Sequence, residues 1–420
     1  MIYGTAQARF SFDPNNYKHF LLLFITWPFL ALITAVSNFD RKEARKMVYI
    51  FLIYYGLSYV INQVGDGADS VRYALHLKNN AERPFSDFFE IISGLYTNDS
   101  SMDFVEPLVS FIVSRFTSNY GLLFAAYSAI FGFFYLKSIT LLYEKYRENR
   151  EWNGLIHMIF FAFIIPITAI NGFRMWTAAW IFFYGAYHVI LFRDPKYLFI
   201  ALSSSLVHWS YLSANAILLI YYFAGNRNIF YLPIAISSFV LPGLLRSFFQ
   251  KLSLILGGGF QSRFGSYSGE EYMLVRQQQE LETAWFIKYS NLLMFYYIIF
   301  AIIAIKILAV SSAKDKSQEN LFSFLLLFIS FVNFGKEIPS FGGRFQVIFF
   351  LFGILFIFLH CVKMKTHMIN PLTLTGLFPM LLYIAVVFRQ GSDSINAWLL
   401  TPLFGLPFLV PGISITDLLF

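Results

Sequence analysis

The sequence is poor in charge and nearly without cysteine. Charged residues make up 13% of its 420 residues, about half of the share that is typical of soluble domains, while hydrophobic residues make up 57%. The single cysteine, Cys361, excludes an internal disulfide and leaves the redox compartment open. This composition excludes an ordinary soluble enzyme and indicates a membrane protein that crosses the bilayer many times.

The signatures of several large enzyme classes are also absent. The chain has no HExxH, no GxSxG, no Walker loop with its GK[ST] and no cysteine–histidine cluster. The acidic stretch from Gly65 to Asp69 lacks the later acidic ligands of a calcium loop. We therefore predict chemistry without a metal and without a cofactor.

Long apolar runs follow one another with few interruptions, and about twenty such residues make one crossing. They must be helical because lipid offers no partner to backbone polar groups, and the alternating strands of a membrane barrel are missing. We predict an all-α fold, a polytopic transmembrane helical bundle of about 12–14 spans, which forms a single membrane domain over residues 1–420. The predicted spans are 18–37, 47–63, 120–143, 153–171, 174–192, 197–207, 210–224, 229–248, 286–309, 320–334, 345–362, 371–388 and 396–412.

Positive charge concentrates in one set of short loops, and short loops rich in Lys and Arg mark the cytoplasmic side. With this assignment the whole formal charge of +7 lies on that side, so the basic composition requires no nucleic-acid partner. The opposite side carries two larger loops, 64–119 with short interfacial helices and 249–285. In the first loop Asp69 is placed to cap a short helix, with Arg72 and Tyr73 one turn on.

Two segments leave the topology open. The apolar run 104–117 is short and contains Glu106 and Arg115, so an interfacial or re-entrant helix is favoured over a crossing. Residues 196–223 form either two short helices that fold back at His208 or one long tilted helix of about 40 Å. We prefer the folded-back form.

The middle of every predicted span is free of Asp, Glu, Lys and Arg. Ion-coupled transporters need ionisable groups near the midplane, so a transport function is disfavoured. Ionisable residues gather at the outer ends instead, where Arg174 and Arg344 each follow glycine at the start of a span. An arginine beside the unpaired N–H groups of a helix start makes an anion site suited to phosphate. The alternative for each arginine is an anchor whose side chain reaches the headgroups.

Five short motifs follow one another along the chain: GDGADSVRY, VEPLVSFI, NGFRMWTAAW, LVHWSYL and GGRFQ. In this order they resemble the EpsG family of Wzy-type polysaccharide polymerases. The family has an Asp-x-x-x-Tyr segment, a Glu-Pro pair, an Arg that opens a small-residue helix and a His-Lys-Ser-like turn. Asp69 to Tyr73, Glu106-Pro107, Arg174 and His208 match these positions. The chain departs from the pattern at Trp209, which replaces the lysine, and at Met175, which replaces a frequent glutamine.

The resemblance implies a fold like that of the GT-C-type lipid-donor glycosyltransferases, in the bacterial inner membrane, with the active site on the periplasmic face. It implies a metal-independent glycosyltransferase that polymerises undecaprenyl-diphosphate-linked oligosaccharide repeat units into O-antigen or exopolysaccharide. The glycan would pass from one lipid diphosphate to a hydroxyl of the next repeat. Besides this substrate and the lipid bilayer, a chain-length regulator is a candidate partner.

The residues suit such a reaction. Expelling a lipid diphosphate builds charge on its oxygens, which Arg174 and Arg344 would stabilise. Arg72 would either help to hold phosphate or simply pair with Asp69. The acceptor hydroxyl must also lose a proton, and the candidate bases are, without ranking, His208, Asp69 and Glu106. Contacts to substrate are predicted for Tyr73, Asn171 and Trp209.

Other functions stay open at this stage. A lipid-linked oligosaccharide flippase or exporter would need a polar passage through the bilayer, which the uncharged span interiors disfavour. An O-antigen ligase or a membrane acyltransferase could share the lipid-linked donor. Ligase and polymerase differ in the acceptor, which the sequence does not display.

Overall fold

A computed structural model of the protein describes residues 12–61, 69–94, 103–242, 244–256, 274, 275, 278, 281–308, 315–363 and 366–419. Within these residues the secondary structure is almost wholly helical, and extended backbone pairs only in one isolated bridge between Asn396 and Ser414. The predicted all-α helical bundle is confirmed. Residues 62–68, residues 95–102 and most of the predicted loop 249–285 lie outside the described residues.

We number the main helices in chain order. They are α1 (Tyr17–Thr26), α2 (Pro28–Ser37), α3 (Lys42–Leu57), α4 (Asp69–Ala81), α5 (Asp87–Gly94), α6 (Val105–Ser114), α7 (Tyr120–Asn149), α8 (Trp152–Ile164), α9 (Phe173–Phe192), α10 (Lys196–Val207), α11 (Tyr211–Ala224), α12 (Asn228–Val240), α13 (Leu244–Leu256), α14 (Trp285–Leu308), α15 (Lys316–Phe334), α16 (Pro339–Cys361) and α17 (Thr366–Ser392).

Several helices are long and apolar enough to cross a membrane, which makes the protein multi-pass. Five described stretches meet this criterion, and the second of them contains α8, a 3₁₀ turn and α9. Shorter apolar helices of 10–17 residues accompany them. The five stretches are Tyr120–Asn149, Trp152–Phe192, Trp285–Leu308, Phe341–Cys361 and Asn370–Ser392.

Proline ends helices inside some of the predicted spans, because it lacks an N–H and clashes with the preceding turn. The predicted span 18–37 is broken at Trp27, before Pro28. The predicted crossing at 396–412 is wrong. That segment holds only a 3₁₀ turn at Ala397–Leu400 and a single helical turn at Leu406–Leu409, because three prolines interrupt it.

The α8 and α9 helices fold back on each other through the 3₁₀ turn Ile167–Gly172. The ring of Phe161 lies 5.0 Å from that of Phe183, and the indole N–H of Trp180 donates to the carbonyl of Ile165. These contacts pair residues at nearly equal distances before and after Gly172, the last residue of the turn. The turn therefore places Arg174, the second residue of α9, at one end of the bundle.

The segment 196–223 is also a hairpin, which confirms the folded-back alternative. His208 is extended between α10 and α11, and Asn215 of α11 donates to Ser204 of α10 at 3.1 Å. The α6 helix, with 10 residues, is about 15 Å long. It is too short to cross a core of about 30 Å, so the expectation that 104–117 does not cross is confirmed.

The α10–α11 turn lies deeper in the bundle than the start of α9. Gly185 of α9 packs directly on Ala201 of α10. Arg174 precedes Gly185 by eleven residues, whereas His208 follows Ala201 by only seven. With a rise of about 1.5 Å per residue, His208 lies about 6 Å below Arg174 along the helix axes. The turn at His208 therefore lies below the end of the bundle at which α9 starts.

The α9 and α16 helices run in the same direction, which brings their starts to one end of the bundle. Phe183 and Phe352 have ring centroids 5.0 Å apart. Eight residues earlier on α9, the carbonyl of Met175 accepts from the hydroxyl of Tyr211, whose ring lies 5.5 Å from Phe345 of α16. Arg174 and Arg344 thus share an end of the bundle.

We expect Gly185→Ala to destabilise the protein by about 1–3 kcal/mol through overpacking. A Cβ at this position would lie 2.5 Å from the backbone nitrogen of Ala201, which cannot move without shifting α10. Gly405→Ala is the control, since its Cβ would meet only Leu409 at 3.8 Å. Thermal unfolding of the two variants in detergent measures the difference. Equal melting temperatures would contradict the close α9–α10 contact.

Candidate functional site

The centre of the site is the carboxylate of Asp103, which the sequence analysis did not single out. Asp103 lies two residues before α6, and its side chain is only 2% exposed. The N–H of the next residue, Phe104, donates to the carbonyl of Leu206 near the end of α10. This bond ties the start of α6 to the α10–α11 turn. The one feature that marks Asp103 in the sequence is that it is an acidic residue just before the Glu106-Pro107 motif.

Arg174 reaches Asp103 from the start of α9. Its Nη1 donates to Oδ2 of Asp103 at 3.0 Å, its Nε donates to the hydroxyl of Tyr73 at 3.2 Å, and its Nη2 lies 3.6 Å from Asp69. The guanidinium also sits 5.8 Å from the centre of the Tyr73 ring. The side chain is 25% exposed. Arg174 is therefore not an anchor that reaches into the headgroups, because two carboxylates and a phenol hold its guanidinium.

His208 approaches the other oxygen of the same carboxylate. Its Nδ1 lies 3.1 Å from Oδ1 of Asp103, and the backbone N–H of Trp209 donates to that oxygen at 2.9 Å. The histidine side chain is 7% exposed. Asp103 thus joins the start of α9 to the α10–α11 turn. Its Oδ2 contacts Arg174, and its Oδ1 contacts His208 and Trp209.

These partners keep Asp103 ionised despite its burial. Burial alone raises the pKa of a carboxyl group, but the contacts with His208, with Arg174 and with the Trp209 N–H lower it, and the net pKa lies below the usual value. The carboxylate is therefore negative at neutral pH.

A second buried carboxylate, Glu106, lies beside this cluster. The hydroxyl of Tyr127 donates to Glu106 at 3.2 Å, and His76 lies 3.7 Å away. The rings of Tyr73 and Tyr127 meet edge to face at 5.5 Å. Tyr127 also stacks on Phe173, which precedes Arg174, with centroids 3.9 Å apart. An aromatic wall therefore separates Glu106 from the guanidinium.

The α4 helix contributes the outer edge of the site. It begins at Asp69 in the described residues, and Arg72 one turn on donates to Asp69. Arg72 is 53% exposed. The simple i,i+3 ion pair with Asp69 that was considered for Arg72 is present. Asp69 therefore neutralises part of the charge of Arg72 within α4.

Arg344 differs from Arg174 in that none of the described residues supplies it with a counter-charge. Among the described residues it makes no hydrogen bond and no ion pair, and it lies within electrostatic reach of Tyr211. Its side chain is half-buried. The expectation that Arg344 opens its helix is wrong. The α16 helix begins five residues earlier at Pro339, which suits a first helical position because it needs no N–H partner.

Asn171 is the predicted site residue that the cluster does not include. Its side chain is exposed and accepts the N–H of Gly172 at 2.7 Å. This bond shapes the turn before α9. Trp209 takes part through its backbone, and its side chain is half-buried. The remaining predicted residues either lie in the cluster or, for Arg344, border it through Tyr211.

We expect Asp103→Asn to lower the free energy of unfolding by about 3 kcal/mol, because it leaves the guanidinium of Arg174 short of a buried counter-charge. The matched control is Asp393→Asn, which breaks the exposed pair of Asp393 with Arg389 and should cost at most about 1 kcal/mol. Thermal unfolding in detergent compares them. If the two variants melt alike, the Asp103 pair does not stabilise the fold.

Comparison with known proteins agrees with the motifs. The model of the EpsG family matches residues 67–400, well over half of the chain and including every residue of the cluster. No curated protein and no solved structure gives a significant match. At a coarse level the family match indicates a membrane glycosyltransferase-like protein of polysaccharide polymerase type. The chain belongs to the EpsG family.

Proposed function

We propose that the protein polymerises undecaprenyl-diphosphate-linked oligosaccharide repeat units into a surface polysaccharide. The observation that carries the proposal is that two arginines from distant parts of the chain, Arg174 and Arg344, lie at the same end of the bundle. Beside Arg174 lie a buried aspartate and a buried histidine. The family match at the level of polysaccharide polymerases supports the same function.

The two arginines suit a diphosphate leaving group. When the bond between the sugar C1 and the phosphate oxygen breaks, negative charge grows on the diphosphate, and guanidinium groups bind such oxygens through paired N–H donors. Arg344 is available for this in the described state. Arg174 would exchange part of its contact with Asp69, the longer of its two ion pairs at 3.6 Å, for a phosphate oxygen.

The position of the site suits a reaction at the membrane surface. The diphosphate and the first sugars would lie at the bundle end, above the turn that is about 6 Å below the start of α9, and the polyprenyl chain would lie among the apolar helices. In this proposal the site faces the periplasm, and the growing glycan leaves from the lipid donor to a hydroxyl of the next lipid-linked repeat. A chain-length regulator would act on the released polymer.

The proposal includes chemistry without a metal. The arginines supply the charge that a divalent cation supplies in many diphosphate-releasing transferases. We expect purified protein to convert a lipid-linked repeat into polymer at the same rate with and without an excess of EDTA, measured by gel separation of the glycans. A rate that falls with EDTA and returns with Mg²⁺ or Mn²⁺ would contradict this part of the proposal.

We expect Arg344→Ala and Arg174→Ala each to reduce polymer formation by about 10²–10³-fold, the usual effect of removing a charge-stabilising donor. Single repeats should then accumulate on the outer-surface lipid. Lys336→Ala is the control, since it removes an exposed cation just before α16. Long chains from both arginine variants would contradict the proposal, whereas repeats retained inside the cell would support a flippase.

A further inference from the structure

We infer that Asp103 is a positioning residue that fixes His208 as the general base of the reaction, with Nδ1 protonated and Nε2 directed to the acceptor hydroxyl. The inference rests on the proposed function, and it chooses among the three candidate bases. It also assigns a role to a residue that the sequence motifs did not mark.

The hydrogen-bond pattern dictates the protonation of the histidine ring. Oδ1 of Asp103 is a carboxylate oxygen and has no hydrogen to give, so the close contact at 3.1 Å requires His208 Nδ1 to be the donor. A neutral imidazole carries one N–H, which leaves a lone pair on Nε2. Among the described residues Nε2 has no hydrogen-bond partner. The ring thus offers one basic atom.

The carboxylate is itself held against rotation. The N–H of Trp209 donates to the oxygen that His208 contacts, and Arg174 donates to the other oxygen. At 2% exposure Asp103 cannot exchange these partners for water freely. The fixed carboxylate therefore sets both the ring tautomer and the spacing between the base and the Arg174 guanidinium.

The two other candidate bases are occupied. Asp69 pairs with Arg72 and lies 3.6 Å from Arg174, so one of its oxygens already faces two guanidinium groups. Glu106 is 3% exposed and accepts from Tyr127 behind the aromatic wall.

His208 also lies close to a residue that interacts with each arginine. Asp103 links it to Arg174, and its ring is 6.5 Å from that of Tyr211, the residue beside Arg344. A base at this point stands next to the place where the diphosphate would leave.

The reaction then balances as a single displacement. The acceptor hydroxyl loses its proton to Nε2 of His208, its oxygen forms a bond to C1 of the donor sugar, and the bond from C1 to the diphosphate oxygen breaks. The imidazolium that forms is stabilised by the Asp103 carboxylate. The proton then leaves His208 for the released lipid diphosphate or for water, which restores the neutral ring.

The first test reads the tautomer and needs no substrate. In protein labelled with ¹⁵N-histidine and held in lipid, the resonance that His208→Gln removes should be that of a ring with a protonated Nδ1 and a bare Nε2. Asp103→Asn should change this resonance, because its amide must turn an N–H₂ group toward either His208 or Arg174. His188→Gln, about 21 Å further along α9 than Arg174, should not change it. A ring protonated on Nε2 alone would overturn the inference.

The second test measures turnover of a lipid-linked repeat by the purified protein. His208→Gln should lower turnover by about 10²–10⁴-fold, Asp103→Asn by about 10²-fold or more, and His188→Gln by less than about twofold. Added imidazole should restore part of the activity of His208→Ala, but not that of the double variant that also carries Asp103→Ala.

The outcomes separate the two proposals. Full turnover in His208→Gln, or equal rescue with and without Asp103, would overturn the role of Asp103 while leaving the polymerase function standing. A wild-type protein that makes no polymer from a defined repeat would overturn the proposed function itself, and the ¹⁵N signature would still decide how Asp103 holds His208.

Discussion

The arrangement of this protein depends on the burial of one negative charge at the end of a helical bundle. A carboxylate removed from water is costly unless opposite charges and N–H donors surround it. Asp103 meets this requirement with Arg174, with His208 and with a backbone N–H of Trp209. Because these partners come from α9 and from the α10–α11 turn, satisfying the charge also brings the elements of the site together.

Short helices make such a site possible inside an apolar bundle. The α10 and α11 helices have 12 and 14 residues, about 18 and 21 Å, and neither would cross the hydrocarbon core alone. Their turn therefore lies below the bundle end, where its side chains can be buried. The tight contact between Gly185 and Ala201 sets that depth. The interior of the spans stays apolar while the polar chemistry is confined to one end.

The two arginines contribute in different ways. Arg174 is part of a satisfied network with Asp69, Asp103 and Tyr73, so its position is fixed before any substrate binds. Arg344 has no counter-charge among the described residues, so in the proposed reaction its charge would meet the substrate. A site that joins a preorganised cation to such an arginine suits an anionic group that arrives and leaves in each cycle. His208, the proposed base, is linked to Arg174 through Asp103.

Much of the fold followed from the sequence. The low charge and the long apolar runs predicted the membrane helices. The basic character of His208 and the glycines before Arg174 and Arg344 indicated candidate site residues, of which the structure brings Arg174 and His208 together at Asp103. The failures were local. Prolines divided the predicted span 18–37 and prevented the crossing at 396–412, and the helix of Arg344 began earlier at Pro339. Asp103 was missed because a lone acid in a loop has no pattern that distinguishes it from a solvated one.

Composition and periodicity are properties of neighbouring residues, so the sequence by itself determined the helical membrane class and the types of group available for chemistry. Burial and the pairing of charges are properties of residues far apart in the chain. Only the tertiary structure could decide that 196–223 is a hairpin, that Asp103 is removed from water and shared by Arg174 and His208, and that Arg344 has no counter-charge among the residues that the structure describes. The physical reason is that the cost of a buried charge depends on all of its neighbours in space.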